Sequence, residues 1–233
     1  MNTYVRSMNT SICKSFFKNF KEIKLNYKIL FLGKKNDALT NLCAELCKEK
    51  FNKTKIHLSS PSEKIPSSIM NWRGDIIISY LFPSLIPYKL IKKAKIISVN
   101  FHPGPPERRG IGCTNYAIYS QEKNYGITFH VMDEKIDSGE IINVKRFKIN
   151  KNETVYSLTQ RAYLYILELY ILFLNDISIG KKITPNNSFK WSGAIKTRKD
   201  FQEFLQLNKN MSKTEIKKRI YATTYPGREP AKF

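Results

Sequence analysis

One short stretch of the chain gathers residue types that suit acyl transfer. It reads Val99-Asn-Phe-His-Pro-Gly-Pro-Pro-Glu-Arg-Arg-Gly110. Asn100 and His102 are separated by a single residue, so on an extended segment their side chains leave the same face. A carboxamide that donates to a developing oxyanion, beside an imidazole that handles a proton, is the equipment of acyl transfer. The prolines that follow stiffen the connection and hold that geometry. Taken alone, Asn-x-His fits equally well a proline-rich turn whose histidine is satisfied by hydrogen bonds. A second stretch, Asp133-Glu-Lys-Ile-Asp-Ser-Gly139, is rich in acids and follows directly on an apolar run. A buried aspartate there would orient the imidazole and favour its charged form. The same composition also describes an ordinary hairpin turn.

The elements that must position these residues follow from the hydrophobic pattern. Residues 27–33 read as a buried strand ending on a glycine. Asn36 or Asp37 caps the next helix, whose Leu39, Leu42, Cys43 and Leu46 recur at helical spacing. Further strands are expected at 55–58, 75–80 and 95–100, with Pro83 and Pro87 breaking the chain ahead of a short helix at 88–94. Strands of continuous apolar character separated by helices imply a parallel sheet covered on both faces, a Rossmann-like α/β unit. Its ligands belong beyond the carboxyl ends of the strands, here Gly33, the 80–82 segment and the 100–102 segment. Downstream, the pattern predicts a helix at 114–122, strands at 126–132 and 140–147 joined by a tight turn at 133–139, and the longest helix at 153–175. Beyond Gly180 the sequence becomes short and irregular, with Trp191 and helices near 199–207 and 213–220. The expected architecture is therefore α/β with a mostly parallel sheet. It divides into an N-terminal extension (1–26), a catalytic core (27–183) and a small C-terminal appendage (184–233).

The chain has 233 residues, enough for one well-buried domain plus an appendage. A hydrophobic content of 42% and an aromatic content of 12% exclude wholesale disorder. No apolar run approaches the roughly 18 residues of a membrane span, so no membrane partner is expected. The first 26 residues lack the continuous apolar stretch of a secretory signal, although they are basic and nearly acid-free in the manner of a transit peptide. Phe16, Phe17, Phe20, Ile23 and Leu25 allow a short amphipathic helix there. A cytoplasmic location is the expectation. Cysteines stand at 13, 43, 47 and 113. Cys43 and Cys47 share a helix face, but nothing nearby completes a tetrahedral site and His57 is isolated, so packed thiols are expected and no metal. The net charge of +21 points to a polyanionic partner. Its basic residues are dispersed, however, without an arm or a block, and no nucleic-acid stripe is expected.

Together the two stretches resemble the formyltransferase family that uses 10-formyltetrahydrofolate. That family carries Asn-x-His-Pro at a strand end and, further on, Gly-[VI]-Thr-x-His-x-Met-x-x-x-[IV]-Asp-x-Gly. Here the second element reads Gly126-Ile-Thr-Phe-His-Val-Met-Asp-Glu-Lys-Ile-Asp-Ser-Gly139, a full match. The resemblance covers residues 27–150 and implies a Rossmann-like formyltransferase core with Asn100, His102 and Asp137 as catalytic residues. Asn100 and protonated His102 would stabilise the oxyanion, and Asp137 would tune His102 and assist proton removal from the attacking amine. His130 is read as structural, a support for the folate loop. The resemblance places the pterin of the donor between Phe82, Leu85 and Ile86 on one side and Met132, Asp133 and Lys135 on the other. The loop from Pro103 to Gly110 and the ending Ala222-Thr-Thr-Tyr-Pro-Gly-Arg-Glu-Pro-Ala231 are similar to those of the sugar N-formyltransferases. They imply a nucleotide-linked amino sugar as acceptor, in particular a dTDP-4-amino-4,6-dideoxyhexose for surface polysaccharide or O-antigen synthesis, and a homodimer. Gly33, Lys34 and Asn36, just ahead of a helix N-terminus, are placed to hold its pyrophosphate. Pro105, Arg108, Arg109 and Gly110 adjoin the catalytic loop, where the arginines suit phosphate or sugar hydroxyls. Two alternatives stand beside this reading: a methionyl-tRNA formyltransferase, and a non-catalytic basic nucleotide-binding protein.

Overall fold

A computed structural model describes residues 26–233. The expected N-terminal helix and Cys13 lie outside the described residues. Six strands form the main sheet: β1 (Lys28–Lys34), β2 (Lys53–Ser59), β3 (Gly74–Tyr80), β4 (Ala94–His102), β6 (Asn124–Val131) and β7 (Ile141–Lys148). Their order is β2-β1-β3-β4-β6-β7. The pairs from β2 through β4 are parallel, while β6 and β7 join antiparallel. The helices are α1 (Ala38–Lys50), α2 (Ser67–Met70), α3 (Tyr88–Ile91), α4 (Cys113–Tyr119), α5 (Val155–Ser178), α6 (Arg198–Leu205) and α7 (Lys213–Thr223). No helix among the described residues is long and apolar enough to cross a membrane.

Alternation along the strands divides the interior in two. Ile29 and Phe31 of β1, Ile76, Ile78 and Tyr80 of β3, and Val99 and Phe101 of β4 share one core with buried residues of α1, α4 and α5. Leu30, Leu32 and Ile77 point the other way, onto Ile69, Trp72, Leu90 and Ile91. This parity governs the site. Phe101 turns into the larger core, where it stacks on its register partner Phe129 at 4.5 Å and meets the edges of Tyr170 and Phe173. Asn100 and His102 therefore leave the opposite face, and the register sets His130 opposite Asn100 and Thr128 opposite His102.

α5 starts two residues after the expected helix and runs three residues past its expected end. Thr154 caps it reciprocally with Ser157, and ten of its residues are buried. Tyr170 reaches across to donate to the Cys43 carbonyl at 2.7 Å. Cys43 and Cys47 are fully buried between the two helices, and burial pushes both thiols up, Cys47 to about 11. The C-terminal region adds Phe204 of α6 and Ala222 of α7 to this same core, with Phe204 against Tyr116 and Tyr119 of α4.

Two features depart from the sequence pattern. The connection between β6 and β7 is a loop over residues 132–140 rather than a tight turn. A second sheet pairs β5 (Arg109–Gly110) with β8 (Ile195–Lys196). Strands of two residues carry no periodicity to read, and their pairing is long-range.

Because Phe101 anchors the strand that carries Asn100 and His102, Phe101→Ala is expected to destabilise the protein by about 3–5 kcal/mol. Denaturant unfolding measures this directly; a loss below about 1 kcal/mol would show that the stacked ring does not anchor β4.

Candidate active site

Three loops meet where β4 ends. His102 Nε2–H donates to the Arg108 carbonyl at 2.7 Å, and Nδ1 lies 3.4 Å from Asp137 Oδ2. The other oxygen, Oδ1, lies 3.6 Å from His130 Nε2. His130 donates from Nδ1 to the Val131 carbonyl at 2.7 Å, and the Asn100 amide donates to its Nε2 at 3.1 Å. The Gly110 N–H donates to Asp137 Oδ2 at 2.7 Å. Asn100, His102 and Asp137 are thus gathered into one cluster, with the His130 ring lying between amide and carboxylate.

His102 and Asp137 are 4% and 7% exposed. Burial by itself disfavours a charged imidazole, yet the Asp137 carboxylate, Cys113 and the Arg108 carbonyl outweigh it and raise the His102 pKa to about 9. Burial likewise works against the Asp137 charge, but the charged His102 and the Gly110 N–H hold its carboxyl well below the ordinary aspartate range. The two shifts agree: at neutral pH the site holds an imidazolium–carboxylate pair.

Local backbone geometry brings Asp137 to this position. Its φ is 45°, in the left-handed region that aspartate tolerates better than most residues. Arg109 fixes that turn by donating from Nε to the Asp137 carbonyl at 2.7 Å and from a terminal nitrogen to the Ile136 carbonyl at 3.4 Å. Gly110 has φ 82°, and a Cβ there would stand 2.1 Å from the Lys196 carbonyl. Gly139 closes the loop against β6, where a Cβ would lie 2.0 Å from the Val131 carbonyl.

The remaining expected residues fall into three groups. Arg108 pairs with Glu122 and donates to Ser120 Oγ at 3.1 Å, so both arginines of the pair hold protein groups. Pro105 is buried, and its carbonyl accepts the Arg108 N–H at 2.8 Å. Gly33, Lys34 and Asn36 sit at the end of β1, which β3 separates from β4, about 10 Å to the side. Lys34 lies 3.5 Å from Asp37, the residue that caps α1, and Asn36 has φ 58°. In the donor-side group, Ile86 is buried, and Phe82 and Met132 are half-buried against the same apolar cluster. Leu85 is 66% exposed. Asp133 accepts the Glu134 N–H, and Lys135 offers its carbonyl to Ser138. Between Phe82 and Leu85 the Ser84 hydroxyl is buried and makes no hydrogen bond among the described residues. Half-buried apolar walls with an uncommitted hydroxyl fit a flat heteroaromatic donor such as a pterin.

Three contributors escape sequence reasoning. His130 accepts the Asn100 amide next to the Asp137 carboxylate, and the pairing of β6 with β4 is what places it. The buried Cys113 thiol lies 3.7 Å from His102 Nε2. Trp191 covers both histidines, with ring centroids 4.9 Å from His130 and 5.9 Å from His102. Its rarity is its only signal in the sequence, which has two tryptophans.

The ion pair makes stability depend on pH. His102 titrates higher folded than unfolded, so its contribution is complete below about pH 6.5 and fades as pH rises through about 9. Asp137 titrates lower folded than unfolded, so its contribution is present above about pH 4 and fades as pH falls. In Asp137→Asn, the decline of unfolding midpoints between pH 6.5 and 9 is expected to flatten. An unchanged slope in that window would remove His102 as its source.

A family model described as formyl transferase matches residues 31–171. The GDP-perosamine N-formyltransferase of Brucella melitensis is 38% identical over 92 residues, covering 39% of this chain and 36% of that protein. The methionyl-tRNA formyltransferase of Enterococcus faecalis is 29% identical over 129 residues, covering 53% of this chain and 41% of that protein. The chain thus spans well under half the length of these curated relatives. The solved N-formyltransferase of Helicobacter canadensis, in complex with folinic acid and dTDP-3-aminofucose, superimposes with a TM-score of 0.63 at 20% identity. That match covers 84% of this chain and 80% of that one, and shows a shared fold. Both motifs that carry the sequence resemblance lie within the matched residues, and the chain belongs to the formyl transferase family.

Proposed function

We propose that this chain transfers a formyl group from 10-formyltetrahydrofolate to the amine of a nucleotide-linked amino sugar. The observation that carries the proposal is the buried His102–Asp137 pair beside Asn100, at the carboxyl end of β4. The donor supplies an activated formyl carbon, and attack by the amine drives negative charge onto the formyl oxygen. Asn100 contributes a neutral amide N–H toward that charge and His102 a cationic N–H. With a pKa near 9, His102 enters the reaction already protonated and acts as a donor rather than a base. The acceptor ammonium must still lose a proton before it attacks. Asp137 is the cluster's carboxylate and supplies the anionic end of that proton's route to solvent.

Support for a sugar acceptor comes from the 103–110 loop, from the residue pattern of 222–231, and from the relative named for GDP-perosamine. The finer expectation, a dTDP-linked 4-amino-4,6-dideoxyhexose, rests on those two segments alone. The solved neighbour carries dTDP on a 3-amino sugar, so base and ring position are variables of the test. Among groups suited to a pyrophosphate, Lys34 and Lys196 are less tied to the protein than Arg108 and Arg109. Lys34 lies 3.5 Å from Asp37 and over the Tyr163 ring at 5.6 Å, and Lys196 lies over the Tyr116 ring. A methionyl-tRNA acceptor has its own support in the Enterococcus relative and in the net charge.

The test incubates the protein with 10-formyltetrahydrofolate and dTDP- or GDP-linked 3-amino and 4-amino sugars, with initiator methionyl-tRNA alongside. Formylation of a sugar nucleotide is expected, and Asn100→Ala should lower its kcat by about 10²–10³-fold. His102→Asn should abolish turnover while nucleotide-sugar affinity stays near that of the parent. Formylation of tRNA alone would replace the sugar reading, and no transfer to any acceptor would favour a binding protein.

A further inference from the structure

We propose that Trp191 is a positioning residue of this site, a cap that holds the acid loop against His102 and keeps water from its ion pair. The role within catalysis rests on the proposed formyl transfer; the capping itself is a property of the cluster.

Three separate contacts converge on this one side chain. The indole N–H donates to the Gly139 carbonyl at 2.6 Å, fixing the far end of the loop that carries Asp137. The ring stands at 88° to His130 and 66° to His102, a wall over both imidazoles. Arg109 lies over the ring at 5.7 Å while donating to the Asp137 and Ile136 carbonyls. Trp191 therefore grips the acid loop directly at Gly139 and, through Arg109, at residues 136 and 137.

The segment that delivers the ring is laced along the catalytic loop. Ser192 N–H donates to the Pro106 carbonyl at 3.1 Å, and Ile111 N–H to the Lys196 carbonyl at 2.9 Å. β8 pairs with β5 between those points. A half-buried indole held in this way shuts the side of the cluster that β4, β6 and α4 leave open. Excluding water lowers the local dielectric and strengthens the ion pair beneath. An aromatic face near a cation adds to the same effect.

Removing the ring should relax His102 toward the behaviour of a free imidazole, because water would screen Asp137 and the acid loop would lose its anchor. The groups facing His102 are Asp137 from the acid loop, the Arg108 carbonyl from the catalytic loop and Cys113 from α4. Arg109 and His130 stand one contact further out. None of these groups is itself replaced by a change at residue 191, so a shift in the His102 titration reports on how the cap holds and shields them.

The chain has three histidines, so ring-nitrogen NMR signals assign by single replacement. The experiment titrates the full-length protein and its Trp191→Ala and Trp191→Phe variants, with circular dichroism as the check on folding. In Trp191→Ala the His102 midpoint is expected to fall by about one pH unit or more. The kcat for formyl transfer at neutral pH should fall about tenfold, with the sugar-nucleotide KM within about twofold. Trp191→Phe keeps the wall but loses the N–H to Gly139, so its midpoint should fall less than that of Trp191→Ala and lie between it and the parent. A folded Trp191→Ala with an unchanged His102 midpoint would overturn the proposal, as would an equal fall in the Ala and Phe variants. Should Trp191→Ala not fold, Trp191→Leu carries the same comparison. Absence of formyl transfer by the parent would count against the proposed function, and the titration would still decide the cap.

Discussion

A charged imidazole and a charged carboxylate, nearly out of reach of water, are the constraint around which this molecule is arranged. Each alone would be neutralised by burial; together, at 3.4 Å, they keep each other ionised. Such a pair tolerates little displacement, because loss of either partner leaves an uncompensated charge in the interior. The surroundings answer that demand. Rigid β4 carries His102, locked from behind by the Phe101–Phe129 stack. Asp137 has no strand to carry it and is held by the Gly110 N–H at its carboxylate and by Arg109 at its carbonyl.

Two of the five described non-glycine residues with positive φ border the same place. Leu81 follows β3 with φ 52°, and Asp137 sits in the acid loop with φ 45°. Neither residue is glycine, and Leu81 in particular adopts this region at a steric cost. Both lie on loops that border the donor-side walls, Phe82 and Met132. Strained conformations of this kind persist only where neighbours over-determine them. At Asp137 those neighbours are visible in the Arg109 hydrogen bonds and in Gly139 pressed against β6. Arg108 and Arg109, which by position in the sequence look like phosphate ligands, serve as struts that fix the two loops.

Local patterns in the sequence announce the parts of this site that are themselves local. One intervening residue puts Asn100 and His102 on a common face, and continuous apolar strands announce the parallel half of the sheet. The two motifs supply Asp137 through family resemblance, where the residues alone leave an acidic turn with several candidates. What sequence does not expose is long-range closure. His130 reaches Asn100 through an antiparallel register that no single segment encodes. Trp191 arrives from an irregular stretch some fifty residues beyond the acid loop, carried by a two-residue strand with no period. The destination of each arginine was hidden for the same reason: charge is written in the sequence, but its partner is a property of the fold.

The hydrogen bonds that satisfy the site bear on how it would act in the proposed reaction. Each donor aimed at the reaction already has a neutral partner: the Arg108 carbonyl for His102, and the His130 ring nitrogen for Asn100. A neutral formyl oxygen offers these donors little that their present partners do not. An oxyanion does, since a bond from a cationic donor to an anionic acceptor is about twice as strong as one to a neutral acceptor. Exchange of partners is therefore favoured as charge develops and not before, which is differential stabilisation of the transition state over the ground state. On this view the buried pair does more than provide a positive charge. By keeping His102 protonated while a carbonyl occupies its N–H, it sets the acceptor strength needed to take that N–H away, and only the reacting oxygen reaches it.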